Sequence, residues 1–272
     1  MVKISQDYKE IAKEIRKNIL KMIFTSQAPH IGSALSSVDI LTVLYFKIML
    51  LDPKNALMKN RDRFILSKGH AASVLYATLA QRGFFPEEIL NTYSLNGSRL
   101  TGELTNWVPG VEVSTGGLGH GLPMGAGMAL ASKHDGIDYR VFVLLGDGEC
   151  DEGSVWETAM FASHHKLDNL IGIIDYNKLQ AFGRTNEVIN LEPIIDRWTA
   201  FGWAVKEIDG HNHFQIEETF SNLPFTKGKP NMVIAHTIKG KGISFLEDKL
   251  ESHYKSPTKE QYELALKELN QI

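Results

Sequence analysis

The stretch Val141-Phe142-Val143-Leu144-Leu145-Gly146-Asp147-Gly148-Glu149 decides the fold. Five apolar residues in succession, with no polar alternation, describe a strand buried on both faces, as in a parallel sheet covered by helices. Gly-Asp-Gly follows at once, at the carboxyl end of that strand, where open α/β sheets place their ligands. Working outward, Leu170 to Asp175 and Met232 to His236 read as further strands, Trp203 to Ile208 as a fourth, and Arg63 to Ser67 as a short one. Helical segments separate them at about Val155 to His164, Ile194 to Ala200 and Phe214 to Asn222. This alternation predicts an α/β fold, a doubly wound parallel sheet with helices on both faces.

Toward the N-terminus, Tyr8, Ile11, Ile15, Ile19, Met22 and Ile23 recur at helical spacing. Pro29 and Gly32 then interrupt, and Ser37-Val38-Asp39 opens a second helix that ends before Asp52-Pro53. A helix over Ala71 to Arg82 is stopped by Gly83. Residues 91 to 121 are rich in Gly, Thr, Asn and Pro, and an irregular stretch of that length in a compact domain points to function. Met124 to Lys133 reads as a helix of small residues and Lys259 to Leu269 as a terminal amphipathic one. No repeat or low-complexity linker divides the chain, so residues 1–272 are expected to form a single domain.

Composition narrows the class. The chain is 43% hydrophobic and 22% charged, the balance of a folded globular protein. With 29 basic and 32 acidic residues it carries a formal charge of −3, and no clustered basic face points to nucleic acid. Lys227, Lys229, Lys239 and Lys241 flank a strand and read as its solvated ends. Cys150 is the sole cysteine, which rules out an intrachain disulfide and a cysteine-based zinc cluster. The first residues mix charges at Lys3, Asp7, Lys9 and Glu10 without an apolar signal core. The longest apolar stretch, Ile40 to Leu51, is broken by Lys47 and too short for a bilayer. A soluble protein of a reducing cytoplasm is expected, with no membrane contact.

Asn177 lies thirty positions after Asp147, about one strand–helix–strand unit. Adjacent parallel strands would bring the Asp147 carboxylate and the Asn177 side-chain oxygen to one point. A divalent ion bound by few protein oxygens and completed by phosphate oxygens suits Mg²⁺. The two side chains supply one formal negative charge, so the remainder should come from the ligand, which points to a diphosphate. Gly-Asp-Gly alone is an ordinary turn; its weight comes from the joint placement with Asn177. The six glycines from Gly116 to Gly127 fit neither the G-x-G-x-x-G dinucleotide spacing nor the G-x-x-x-x-G-K-[ST] phosphate loop. They argue against a Rossmann dehydrogenase and a P-loop kinase.

At these residues the sequence resembles the transketolase family, specifically the N-terminal subunits of its split members. The resemblance is carried by Gly146-Asp147-Gly148 with Asn177, His30-Ile31-Gly32-Ser33-Ala34-Leu35-Ser36, Arg61 to His70, Pro109 to Gly116, Lys239-Gly240-Lys241-Gly242 and His253, in family order across nearly the whole chain. It implies thiamine diphosphate and Mg²⁺ as cofactors, with Ca²⁺ or Mn²⁺ able to substitute. It implies metal binding by Asp147, Asn177 and the backbone oxygen of Leu179, and diphosphate seated against Gly148. His70 and His253 would contact the diphosphate or the reacting centre, His30 the substrate beside the thiazolium carbon, and Gly116 and Leu118 the aminopyrimidine. Histidine suits such proton transfer because its ordinary pKa of ~6.5 populates both forms. His164-His165 and His211-Asn212-His213 stand outside the matching motifs and read as a helix face and a turn.

Glu152 and Glu157 match acidic residues at the family's subunit interface. Full-length relatives carry a second domain that supplies the glutamate activating the cofactor. The chain ends at Ile272, so a separately encoded C-terminal transketolase-like partner is expected, in an α₂β₂ assembly joined through a large apolar patch. Three departures bear on substrate: Glu103 where sugar transketolases have histidine, His120 where glutamine is common, and Phe182 where aspartate is usual. The expected function is transfer of a two-carbon ketol unit from a ketose donor to an aldose acceptor, with an atypical or nucleotide-linked sugar as substrate. Two alternatives stand beside it: a subunit decarboxylating a 2-oxo acid, like deoxyxylulose-phosphate synthase, and a non-catalytic paralogue.

Overall fold

The computed structural model describes residues 8–271; Lys3 and Asp7 lie outside the described residues. Five strands form one sheet: β1 (Arg63–Leu66), β2 (Val141–Gly146), β3 (Leu170–Tyr176), β4 (Ala204–Asp209) and β5 (Asn231–His236). Their order is β1-β2-β3-β5-β4, and every pairing is parallel. The central strands β2, β3 and β5 are buried almost end to end, which is why they read as continuous apolar runs.

The helices are α1 (Tyr8–Ser26), α2 (Ile31–Leu35), α3 (Val38–Val43), α4 (Ala72–Arg82), α5 (Gly121–Asp135), α6 (Gly153–His164), α7 (Thr185–Val188), α8 (Ile194–Ala200), α9 (His213–Ser221) and α10 (Lys259–Leu269). Alternate side chains of each strand enter opposite cores. Phe142 and Leu144 of β2 join Ile171 and Ile173 of β3 under α1 to α4, α9 and α10. Val141, Val143 and Leu145 join Leu170 and Ile174 under α5, α6 and α8. The doubly wound sandwich is therefore as expected. The small residues of α5 have a packing reason: a Cβ at Gly125 would lie 2.5 Å from Val143 Cγ2, so helix backbone rests on the sheet.

Two local expectations need correction. Helical structure is interrupted at Pro29, between Ser26 and Ile31, as expected, but Gly32 lies inside α2. The helix opened at Ser37 does not continue to Asp52. It ends at Val43 and passes into a π-helical turn over Leu44–Ile48, and a separate 3₁₀ turn covers Pro53–Asn55. Among the described residues, no helix is long and apolar enough to cross a membrane.

Candidate active site

The carboxyl ends of β1, β2, β3 and β5 open into one cavity of about 260 Å³. Gly146 of β2 pairs with Asp175 of β3, so the loops that leave them are neighbours, and Asp147 stands beside the Asn177–Leu179 turn. Asp147 Oδ1 accepts from Gly148 N at 2.7 Å, and Oδ2 accepts from Lys178 N. Asn177 Oδ1 accepts from Leu179 N at 3.1 Å, and its amide nitrogen donates to Asp175 Oδ2 at 3.2 Å. Burial raises the Asp147 carboxyl to about 6, and the nearby Asp175 acts in the same direction. A buried carboxylate in that position is set to gain from a cation.

Lys239 corrects one expectation. Read as a solvated strand end, it is 2% exposed, and its ammonium donates to the Leu179 carbonyl at 2.8 Å and approaches His253 Nδ1 at 2.9 Å. Burial brings it down to about 8. Lys227 and Lys229 are exposed as expected. A second buried cation, Lys68, donates to Ser33 O at 2.8 Å and pairs with Asp175. Burial alone would raise the Asp175 carboxyl, but Lys68, Ser36 and Thr237 outweigh it and hold it below its ordinary value.

His30, His70 and His253 come from three distant segments yet converge: their ring centroids are 5.0 Å apart for His30–His70, 4.9 Å for His30–His253 and 5.6 Å for His70–His253. His30 adopts φ 74°, a left-handed conformation uncommon for histidine, and its N–H donates to the His253 carbonyl at 2.9 Å. Burial, followed by Lys239, lowers His30 and brings His253 to about 3; burial, followed by Lys68, holds His70 well below its usual value. All three rings are thus neutral near pH 7 and free to accept or donate one hydrogen bond.

Glu103, Gly116, Leu118 and Gly148 line the same cavity, with Phe182 84% exposed at its mouth. The Glu103 carboxyl, raised by partial burial, faces Gly116: a Cβ there would lie 3.0 Å from Glu103 Oε2. A Cβ at Gly148 would meet Gln180 Cδ at 2.7 Å. Glu152 and Glu157 are not part of this cluster. Both are exposed on α6 and its approach, and Glu157 borders a shallow depression with Pro123, Gly127 and Phe161. His120 is exposed at the start of α5.

Ser33, Lys68, Gln180 and Lys239 also line the cavity, although the sequence pattern suggests no role for them. Lys68 and Lys239 both fall inside family-like motifs, next to apolar strands, and that is the one signal that could have found them. His211 and His213 are more than a turn, since both hydrogen-bond the buried Asp39, at 2.8 and 2.9 Å.

Among the described residues, no group of three or more His, Cys, Asp or Glu side chains forms a closed metal cage. Asp147, Asn177 and Leu179 do line one cavity, and side-chain and backbone oxygens are hard donors of the type Mg²⁺ takes alongside phosphate. The Leu179 carbonyl accepts from the Lys239 ammonium at 2.8 Å.

The family described as "Transketolase, thiamine diphosphate binding domain" matches residues 7–269. The chain is 48% identical to one of the subunits of apulose-4-phosphate transketolase from Phocaeicola vulgatus, over 94% of this chain and 91% of that one. It is 44% identical to SqwG, a 6-deoxy-6-sulfo-D-fructose transketolase subunit from a Clostridium species, over 97% and 96%. Among solved structures, transketolase from Campylobacter jejuni superposes with a TM-score of 0.91 at 31% identity, covering 97% of this chain and 42% of that chain. Transketolase from Leishmania mexicana gives 0.92 at 27% identity, again covering 97% of this chain and 41% of that chain. The chain thus spans about two fifths of those solved enzymes and nearly all of the two subunits. With a matching fold, a collinear sequence and its loop tips gathered at one end of the sheet, this chain belongs to the transketolase family through its thiamine diphosphate binding domain.

Proposed function

We propose that this chain is one half of a cytoplasmic two-subunit transketolase, transferring a two-carbon ketol unit with thiamine diphosphate and Mg²⁺. The observation that carries the proposal is the placement of Asp147, Asn177 and the Leu179 carbonyl on adjacent loop tips, beside the cluster of His30, His70 and His253. Asp147, Asn177 and Leu179 would hold the metal, with Ca²⁺ or Mn²⁺ able to replace it. Gly148 and His70 would meet the diphosphate, joined by Lys68 and Lys239, while Gly116 and Leu118 would border the aminopyrimidine. Thiamine diphosphate, when bound, supplies the carbon nucleophile that carries the transferred unit.

The chain's own residues control protons and position. His30 and His253, neutral through burial, would hydrogen-bond and orient a sugar hydroxyl, and His253, brought to about 3, is the weaker base, which leaves His30 the better placed to take the proton. Glu103 offers a carboxyl where a hydroxyl would be read, which favours a neutral, hydroxyl-bearing donor end over an anionic one. The two curated relatives act, by their names, on apulose 4-phosphate and on a 6-deoxy-6-sulfo fructose, which supports an atypical ketose for this chain. Because both are subunits, a second, C-terminal transketolase-like subunit is proposed as partner in an α₂β₂ assembly, with Glu152 and Glu157 near the junction. Residues 1–272 are proposed to act as a single domain.

The test is calorimetry on the complex with the partner subunit. Thiamine diphosphate uptake should require Mg²⁺ and vanish in Asp147→Ala, together with ketol transfer. Cofactor uptake independent of the metal, or CO₂ release from pyruvate in place of ketol transfer, would overturn the proposal.

A further inference from the structure

Asp175 is the penultimate residue of β3, and none of its surface reaches solvent. A carboxylate in such a place is costly unless every lone pair is met. It is met from four directions. Oδ2 accepts from Ser36 Oγ at 2.6 Å, from Asn177 Nδ2 at 3.2 Å and from the Lys68 ammonium, with Ser37 Oγ at 3.5 Å. Oδ1 accepts from the Thr237 hydroxyl. The donors leave the ends of α2, β1, β3 and β5, so one side chain ties together the segments that frame the cavity.

Two of those contacts reach groups that line the cavity. The Asn177 amide has one acceptor end and one donor end of nearly the same shape. An ionised carboxylate only accepts, so Asp175 captures the nitrogen, while Leu179 N–H takes the oxygen from the other side. The amide is thereby fixed end for end, with its nitrogen on Asp175 and its oxygen on the Leu179 N–H. Lys68 has three N–H donors: one goes to Asp175 and one to Ser33 O, which leaves the third for the cavity it lines.

We infer that Asp175 is a positioning residue of this site: a buried carboxylate that selects which end of the Asn177 amide faces the proposed metal and anchors Lys68 at the cavity floor. The inference rests on the cofactor reading of Asp147 and Asn177, and it assigns Asp175 no contact with metal or cofactor. Groups that orient metal ligands typically change metal affinity ~10–100-fold when altered.

The experiment is a Mg²⁺ titration of the assembled enzyme at fixed thiamine diphosphate, read by calorimetric cofactor binding. Asp175→Asn keeps the shape but removes the charge that Lys68 pairs with, and its one amide oxygen, with two lone pairs, cannot accept from Ser36, Lys68 and Asn177 together. Its Mg²⁺ midpoint should rise ~10–100-fold while a cooperative thermal transition persists. Should Asp175→Asn not fold, Asp175→Glu retains the charge that Lys68 needs but moves both oxygens by one methylene, and its midpoint should also rise. Thr237→Val removes a donor from the same carboxylate without touching Asn177 or Lys68. It should lower the melting temperature and leave the Mg²⁺ midpoint at the wild-type value. A folded Asp175→Asn or Asp175→Glu with the wild-type midpoint overturns the inference, and so does a Thr237→Val variant that shifts the midpoint equally. A wild-type enzyme that binds the cofactor with no need of Mg²⁺ overturns the cofactor reading and this inference with it.

Discussion

Gly69→Ala is the sharpest perturbation available, because it adds one carbon where backbone meets backbone. The new Cβ would lie 2.5 Å from both the carbonyl carbon and the oxygen of Thr115 and 2.7 Å from Gly116 N. Ordinary contact begins near 3.4 Å, so the Thr115–Gly116 segment must retreat by roughly 1 Å. It cannot slide freely. Thr115 Oγ1 donates to Leu66 O at 2.8 Å, and the far end of the loop is held where Gly119 N donates to Glu149 Oε1 at 2.9 Å. Overpacking of this kind costs about 1–3 kcal/mol. A displacement near 1 Å beside a reacting centre costs on the order of a hundredfold in rate. Urea unfolding of the chain should therefore show that loss of stability, and the assembled enzyme should lose about two orders of magnitude in kcat/KM at saturating cofactor. Gly127→Ala is the companion measurement: nothing lies within 4 Å of its Cβ on the exposed face of α5, so chain stability should hold or rise by up to about 1 kcal/mol. A Gly69→Ala variant with wild-type stability and wild-type kcat/KM would refute the seating of this loop on Gly69.

Further outcomes can be checked separately. Asp39 accepts from Arg16, His211 and His213, and Arg16 with the two histidines holds its carboxyl well below the ordinary range against the opposing effect of burial. Its stabilising contribution is complete above the unfolded pKa of ~3.9 and is lost as pH falls toward the lower folded value, so urea midpoints should drop below about pH 4, and less steeply in Asp39→Asn. Asp39→Ala, which strands the Arg16 charge, should cost about 3–5 kcal/mol by denaturant unfolding. His253, brought to about 3 by burial and Lys239, should show no imidazole titration by NMR in the cofactor-free chain between about pH 5 and 8; an inflection in that window contradicts its placement beside the ammonium. Glu149→Leu removes both Oε1, which accepts from Ser67 and Gly119, and Oε2, which accepts from Gly146, and hydrogen exchange at Gly119 should quicken with about 1–3 kcal/mol lost; unchanged exchange would show that the loop is held elsewhere. Mg²⁺ and thiamine diphosphate should each tighten the binding of the other by ~5–150-fold in calorimetry, and independent affinities would contradict the shared site.

What the sequence disclosed follows from range. Val141–Leu145, Leu170–Asp175 and Met232–His236 are buried on both faces, and such burial leaves an unbroken apolar run that needs no partner to be recognised. Asp147 and Asn177 were legible because a crossover of thirty residues implies adjacent strands in a parallel sheet. Lys239, His211 and His213 were not, for one reason in each case: the partner lies far away along the chain. Nothing near Lys239 announces Leu179, sixty positions earlier, and nothing near His211 announces Asp39, 172 positions earlier. The break at Val43 was hidden because a π-helical turn has the same apolar pattern as the helix it ends.

The buried charges explain why the site should take a metal and a diphosphate together. Asp147 and Asp175 are opposed at the cavity floor by Lys68 and Lys239, and all four side chains are almost wholly withdrawn from water. Formal charge there is balanced before any ligand arrives. An isolated divalent cation or an isolated diphosphate would each leave an uncompensated charge in a desolvated space, a cost of several kcal/mol. Entering together, they nearly cancel. The raised Asp147 carboxyl and the lowered Lys239 ammonium share one main cause, burial, which disfavours the charged form of each although the two attract one another. A metal drawn to Asp147 and a phosphate drawn to Lys239 would relieve both. Burial and charge count thus favour joint entry of the proposed cofactor and cation over entry of either alone.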